Sequence, residues 1–212
     1  MARFGIHAKT VYGIPLPQLK LLARRVGKDH LLAQALWSSG AHEARLLACF
    51  TENPAEVTWR QMERWASDFD NWAVCHGCCL HLFAKVPFAQ EKAKAWCVRR
   101  QEFVKRAGFS MMAVLAVHDK DANDSLFLQW LRLIKDASND ERNFVKKAVN
   151  WTLRQIGKRN PRLNKAAVRT AKEIQKVNSK SAHWIAADAL RELLSDEVQT
   201  RLLKRERWGG RG

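Results

Sequence analysis

The residue types best suited to chemistry lie in one short stretch, DNWAVCHGCCLH, at positions 70–81. Three cysteines and two histidines fall within seven consecutive residues there: Cys75, His76, Cys78, Cys79 and His81. Thiolate and imidazole groups are preferred zinc ligands, and an exposed thiolate of low pKa can act in redox chemistry. The stretch therefore allows three interpretations, namely a metal site, a redox site or a packed helix.

Helical spacing distinguishes two faces within this stretch. A helix that begins near Asn71, capped by Asp68 or Asp70, would place the three cysteines on one face, because they are three and four residues apart. Trp72 and His76, four residues apart, would share a different face. The two faces can therefore have different roles.

The cysteines are predicted to pack in the core and not to bind metal. Structural zinc sites take four ligands, usually from two separated arms, whereas this stretch offers one arm and Cys49 and Cys97 are isolated. Free cysteine packs as a small hydrophobe, and nothing here marks an exposed thiol of low pKa. We expect no metal, which leaves Trp72 and His76 as the informative residues.

Composition and an internal repeat predict an all-α fold. Only 5 Pro and 10 Gly interrupt the 212 residues, and no window alternates apolar and polar residues for long. EFVKRAGFS from Glu102 is repeated by NFVKKAVNW from Asn143, about 40 residues later, which is the length of a two-helix HEAT unit. We predict a curved solenoid of HEAT-like antiparallel helix pairs, forming a single domain over 1–212 with a disordered tail at 205–212. A compact irregular bundle is the alternative.

The charge balance predicts a polyanionic partner. Lys and Arg number 37 against 21 Asp and Glu, which gives a formal net charge of +16. Counterion release makes nucleic acid the favoured partner of such a surface, although a solvated basic surface without a partner is the alternative. No apolar run approaches the roughly 20 residues of a membrane span, and nothing resembles a signal peptide. Five cysteines without such a signal indicate reduced thiols in a cytoplasm.

Several stretches together resemble one known family, the AlkD-like HEAT-repeat DNA glycosylases of DNA alkylation repair. They are YGIPLPQLKLLAR, HEARLLA, FDNWAVCHGCC, EFVKRAGFSMMAVLAVHDK, DERNFVKKAVNWTLRQIGKRN and SKSAHWIAADALREL, and they cover nearly the whole chain. One departure is MARFGI, which resembles a segment that usually follows a first helix, so the family's first helix is expected to be absent.

The resemblance implies an activity and a partner. The family excises positively charged N-alkylated purines, such as 3-methyladenine and 7-methylguanine, from duplex DNA held on a basic surface. No metal or organic cofactor is implied, and no membrane. We expect a monomer in a bacterial cytoplasm, associated with the nucleoid.

The resemblance also assigns site residues. Trp72 occupies the position of the family's first tryptophan, and His76 stands where the family has an aspartate. Arg106 matches the family's site arginine, and Trp151 matches its second cleft tryptophan. The expected phosphate contacts along the same surface are Arg106, Lys147, Arg154, Lys158 and Arg159.

His76 leaves the catalytic prediction open. A neutral imidazole does not supply the negative charge of a carboxylate, and a protonated one would repel a developing cation. Asp188, four residues after Trp184, echoes the missing pair and is an alternative source of a carboxylate. The chain is therefore predicted to be a DNA glycosylase of reduced rate. The alternatives are a module that binds damaged or unusual DNA, and a protein-binding scaffold, which the excess of basic residues disfavours.

Overall fold

In the computed structural model of the protein, the described residues are 10–209, with side chains described to residue 204. Within that range the secondary structure is helical and contains no strand, so the all-α prediction is confirmed. The helices are α1 (Leu16–Val26), α2 (His30–Ser38), α3 (His42–Thr51), α4 (Trp59–Ser67), α5 (Trp72–His81), α6 (Ala89–Trp96), α7 (Glu102–His118), α8 (Asp124–Asp136), α9 (Asn143–Gly157), α10 (Pro161–Ile174), α11 (Lys180–Leu193) and α12 (Asp196–Gly209). The expectation for MARFGI, and the last three residues of the predicted tail, lie outside the described residues.

Side-chain caps explain where several helices begin. Asn160 accepts a hydrogen bond from the amide of Leu163, and Pro161 takes the first helical position, where a missing N–H costs nothing. Asn71 caps α5 by accepting from the amides of Ala73 and Val74. The prediction that Asp68 or Asp70 caps α5 is therefore wrong. The side-chain oxygen of Asn71, the residue directly before the helix, accepts from the free N–H groups instead.

The first compact unit ends at Lys92. Its odd-numbered helices pack in a row in which α3 contacts both α1 and α5, while α2 packs against α3. Trp37 of α2 stacks on Trp65 of α4 with ring centroids 4.1 Å apart, and both rings are buried. Gly77 lies where α3 and α5 approach each other, and a Cβ there would lie 2.7 Å from Leu46 Cδ2, so the leucine would have to shift.

The second unit begins at Ala93 and repeats this arrangement. Its odd-numbered helices α7, α9 and α11 pack in a row, and α8, α10 and α12 pack on one side of it. The repeated phenylalanines Phe103 and Phe144 occupy equivalent places on α7 and α9, with ring centroids 5.3 Å apart. The internal repeat read from the sequence therefore corresponds to stacked helices.

Two buried hydroxyl groups join successive repeats of the second unit. Thr152 Oγ1 donates to the carbonyl of Phe109 at 2.7 Å, and Ser181 Oγ donates to the carbonyl of Ser138 at 2.5 Å. Both bonds span 43 residues, close to one repeat. They add directional contacts to a helix interface that is otherwise apolar.

Among residues 10–209, no helix combines the length and the apolar character needed to cross a membrane.

Candidate nucleic-acid interface

The first turns of α5 present an indole and an imidazole. Trp72 is the first helical residue, directly after the cap Asn71, and His76 follows one turn later. Both side chains are half-buried. The half-buried face of α5 therefore carries an indole ring and an imidazole, at the positions where the resemblance implies a tryptophan and an aspartate.

The neighbouring face of α5 is part of the core. Cys75, Cys78 and Cys79 are fully buried, which confirms the prediction that they pack as small hydrophobes. Cys78 Sγ lies 3.1 Å from Cys49 Sγ of α3, and burial raises the pKa of the Cys78 thiol well above its ordinary value. In the part of the chain that the structure describes, no group of three His, Cys, Asp or Glu side chains is arranged to hold a metal ion.

The two aspartates before α5 have structural partners. Asp68 Oδ2 accepts from the indole Nε1 of Trp37 at 2.8 Å. Asp70 Oδ1 accepts from Asn71 Nδ2 at 2.6 Å, and Asp70 Oδ2 lies 3.6 Å from a guanidinium nitrogen of Arg45. Both carboxylates therefore help to join α5 to the helices that precede it.

A row of long side chains follows one face of α9. Lys147, Trp151, Arg154 and Lys158 are separated by four, three and four residues, so they share that face. We call these four residues the basic stripe. Lys147 is exposed and the other three are half-buried. With its amide oxygen turned towards them, Gln155 accepts from Trp151 Nε1 and Lys158 Nζ, both at 3.1 Å.

Carboxylates on α11 partner the basic stripe. Glu192 accepts from a guanidinium nitrogen of Arg154 and from Lys158 Nζ, the latter at 2.5 Å. Burial alone would raise the pKa of Glu192, but these two cations outweigh it and lower the pKa below the ordinary value. Asp188 lies 3.6 Å from Arg154 Nε and accepts from Asn150 Nδ2 at 2.6 Å. Two of the expected phosphate contacts are thus already paired with carboxylates.

Arg106 and Arg159 donate to backbone carbonyls. Arg106 is buried, and its Nη1 donates to the carbonyl of Phe144 on α9 at 2.7 Å. Arg159 Nη1 donates to the carbonyls of Ala116 and Asp119 at 2.7 and 2.8 Å, which satisfies free carbonyls at the end of α7. Both guanidinium groups therefore join neighbouring helices, and their roles towards phosphate stay predictions.

Lys147 differs from the other expected phosphate contacts. It is exposed, and it forms no ion pair with any residue whose side chain the structure describes. An exposed ammonium group keeps its hydration and its counterions until a polyanion displaces them. Lys147 is consequently the member of the basic stripe most directly available to a phosphate.

Sequence reasoning missed the counter-charges on α11. Glu192 was not singled out, and Asp188 was considered only as a substitute catalytic carboxylate. The signal was nonetheless present, because Asn150 and Asp188, like Arg154 and Glu192, are 38 residues apart, close to the repeat length. Pairing polar donors with carboxylates at the repeat offset would have predicted both contacts.

Comparisons with known proteins agree with this architecture. The model of the family described as "DNA alkylation repair enzyme" matches residues 1–193. An uncharacterized protein of Listeria innocua, Lin0241, is 25% identical over 171 residues, which cover 79% of this chain and 74% of that protein. A solved structure superimposes with a TM-score of 0.74 at 20% identity, covering 88% of this chain and 86% of the other. That protein belongs to "a new family of proteins related to the HEAT-like repeat DNA glycosylases with affinity for branched DNA structures", and the likeness shows a shared fold.

Proposed function

Because the chain belongs to the DNA alkylation repair enzyme family, we propose that it binds duplex DNA and slowly excises positively charged N-alkylated purines. The expected substrates are 3-methyladenine and 7-methylguanine. The observation that carries this proposal is the pair Trp72 and His76, one turn apart on the half-buried face of α5.

The chemistry asks little of the protein. Alkylation places a positive charge on the base, which makes the base a good leaving group without protonation. Its departure leaves an oxocarbenium-like sugar, as in the hydrolysis of glycosides. The face of Trp72 can attract the cationic base, a contact worth about 0.5–2 kcal/mol.

His76 sets the expected rate. A neutral imidazole can accept a proton from the attacking water, but it places no negative charge beside the sugar. Removal of one well-placed electrostatic stabiliser typically costs about 10²–10³ in rate. We therefore propose a slow glycosylase in which His76 acts on water and Trp72 acts on the base.

Binding to DNA is proposed to be electrostatic. The formal net charge of +16 favours a polyanion, and the basic stripe supplies a regular line of cations on α9. A phosphate can share Arg154 or Lys158 with Glu192, or contact Lys147 directly. Arg106, which matches the family's site arginine, and Trp151 are proposed to support this surface. We further propose a monomer that acts on the nucleoid of a bacterium, an origin that the Listeria relative supports.

A second candidate function is DNA binding without catalysis. The histidine at position 76 favours it, because the carboxylate of the family motif is missing there. The structurally similar family described as having affinity for branched DNA structures also favours it. Both candidates share the electrostatic interaction with DNA and differ only in base release.

One experiment separates the two candidates. Duplex DNA treated with a methylating agent is incubated with excess protein, and the released bases are resolved by chromatography. The glycosylase predicts slow, protein-dependent release of 3-methyladenine or 7-methylguanine, and no release from untreated DNA. Retained DNA binding without any release over spontaneous depurination would leave the binding module as the function.

A further inference from the structure

A concave site lies in the first unit. It is a cavity of about 410 Å³ at the junction of α1, α3 and α5. Its lining residues are Lys20, Ala23, Arg24, Gly27, Lys28, Phe50 and His81. Three of these seven residues are permanent cations and none is acidic. The size falls within the range of small-molecule sites, which is about 300–1,000 Å³.

Two rings form the apolar part of the cavity. Phe50 of α3 and His81 of α5 are half-buried and meet edge to face, with ring centroids 4.7 Å apart. Burial, together with the charges of Lys20, Lys85 and His76, lowers the pKa of His81 to about 4. The imidazole is therefore neutral at physiological pH and offers an aromatic surface.

Among the described residues, no carboxylate lines the cavity, and Glu52 acts on Lys28 only at a distance. Lys28 Nζ donates to the carbonyls of Phe50 and Glu52, at 2.9 and 2.8 Å, which holds it at the end of α3. The carboxylate of Glu52 is buried and accepts from side chains of α2 and α4 instead. Lys20 and Arg24 are exposed on successive turns of α1, and Lys20 Nζ lies 6.0 Å from the Phe50 centroid. The cavity therefore combines two aromatic rings, set edge to face, with a rim of three basic residues and no acidic lining residue.

This combination fits a nucleotide. Each of the four bases has a π-face that can stack on aromatic side chains, and the phosphate of the same nucleotide is an anion. A purely apolar ligand would leave the cations without a partner, and a simple anion would not use the rings. A paired nucleotide cannot offer its face, since its neighbours in the duplex cover it.

We propose that this cavity binds one unpaired nucleotide of a DNA strand, with the base against Phe50 and His81 and the phosphate between Lys20 and Arg24. The inference rests on the proposed DNA binding and deepens it. It names the preferred substrate as duplex DNA that carries an extrahelical nucleotide, as at a bulge or a strand branch.

The test uses the full chain and three duplexes of the same length. The first is fully paired, the second carries one unpaired 2-aminopurine nucleotide, and the third carries an abasic residue at that place. We expect the native protein to bind the 2-aminopurine duplex about 5- to 50-fold more tightly than the paired one, since base stacking on aromatic side chains is of that size. The 2-aminopurine fluorescence should fall on binding, and the abasic duplex should lose most of the preference.

Single-residue variants test whether the cavity side chains produce the preference for the unpaired nucleotide. Phe50→Leu removes the ring but keeps an apolar side chain, and Arg24→Ala removes one cation of the rim. Both should reduce the preference at least about threefold, because each removes one part of the stacked and charged contact. Arg25→Ala is the matched control, since Arg25 is exposed on the same helix but does not line the cavity. It should weaken binding to paired and bulged DNA alike, and thermal melting shows whether Phe50→Leu keeps the fold.

The outcomes separate this inference from the proposed function. Salt-sensitive binding with equal affinity for all three duplexes would overturn the cavity inference and leave DNA binding intact. No binding to any duplex at low salt would overturn the proposed function as well. Titration with the mononucleotide dAMP distinguishes the source of the ligand. Binding of dAMP as tight as that of the bulged duplex, and lost in Phe50→Leu, would support a nucleotide site but overturn a DNA strand as its ligand.

Discussion

Helices α5 and α9 belong to equivalent rows of the two units, yet their surfaces differ in kind. On α5 one face consists of three buried cysteines, and a neighbouring face carries Trp72 and His76. On α9 the corresponding length carries the basic stripe, with its counter-charges on α11. A repeated scaffold can therefore assign chemistry to one repeat and electrostatic binding to another, because each helix face is determined by its own side chains.

If α5 carries the catalytic residues, the rate of base release should respond to a single charge at position 76. His76→Asp should accelerate release of 7-methylguanine by about 10²–10³, since the carboxylate would stabilise positive charge that develops on the sugar. Affinity for DNA should change little, because the gain appears only in the transition state. Single-turnover release and equilibrium binding measure the two quantities.

The matched control is His76→Asn, which has nearly the size of aspartate but no charge. It should release bases no faster than the native protein. Fast release by the native protein, with no gain in His76→Asp, would show that α5 does not act through a carboxylate position.

The second unit should depend on ion pairs for stability. Asp140 accepts from Lys105 Nζ at 2.9 Å and from Arg142 Nη2 at 2.6 Å. Burial opposes its ionisation, but these bonds outweigh burial and hold the pKa of Asp140 well below its ordinary 3.8. The stabilisation is therefore complete above about pH 4 and is lost as the pH falls further. Asp140→Asn should cost about 1.5–3 kcal/mol at pH 7, by denaturant unfolding.

Denaturant unfolding at lower pH tests the direction of this pH dependence. The difference between Asp140→Asn and native protein should shrink steadily below pH 3.8, because the carboxylate takes up a proton in the unfolded chain while it stays ionised in the folded one. A difference that is constant from pH 7 to pH 3 would mean that the contribution of Asp140 is not ionic.

The sulfur face of α5 should behave as packing alone. Cys79→Ala should lower the free energy of unfolding by roughly 1 kcal/mol, because it leaves a small cavity among buried residues. Chelators should have no effect on native or variant protein. Stoichiometric zinc in the purified protein, measured by elemental analysis, would contradict this interpretation of the cysteines.

The smallest effect is expected on the basic stripe. Lys147→Ala should weaken DNA binding a few-fold and reduce the slope of log K against log salt by about 0.9, the value of one phosphate contact. Lys165→Ala, which removes an exposed lysine from α10, is the control and should leave the slope unchanged. Equal slopes in both variants would place the phosphate contact elsewhere.

The spacing of residues along the chain predicted the helices and the buried positions, whereas it did not predict the individual hydrogen-bond partners. The low glycine content indicated helices, and the repeat of Phe103 at Phe144 indicated that two of them stack in register. Both signals can be seen in one sequence because they depend only on composition and spacing. The burial of the cysteines also followed from spacing. The cap of α5 did not, because Asn71, Asp68 and Asp70 are all suitable and only backbone geometry selects one. The partners of Arg106 were equally hidden, since a carbonyl acceptor such as that of Phe144 has no sequence signature.

The hydroxyl bonds of Thr152 and Ser181 have a consequence for how the second unit opens. Each joins a repeat only to the one before it, so loss of one repeat removes support from its neighbour and from no other. Amide hydrogen exchange should therefore be graded along the second unit, fastest in α12 and slowest in α9, which packs between α7 and α11. Thr152→Val should speed exchange in α11 and α12 more than in α7. The C-terminal repeats would then open and close as a unit while α7 stays folded.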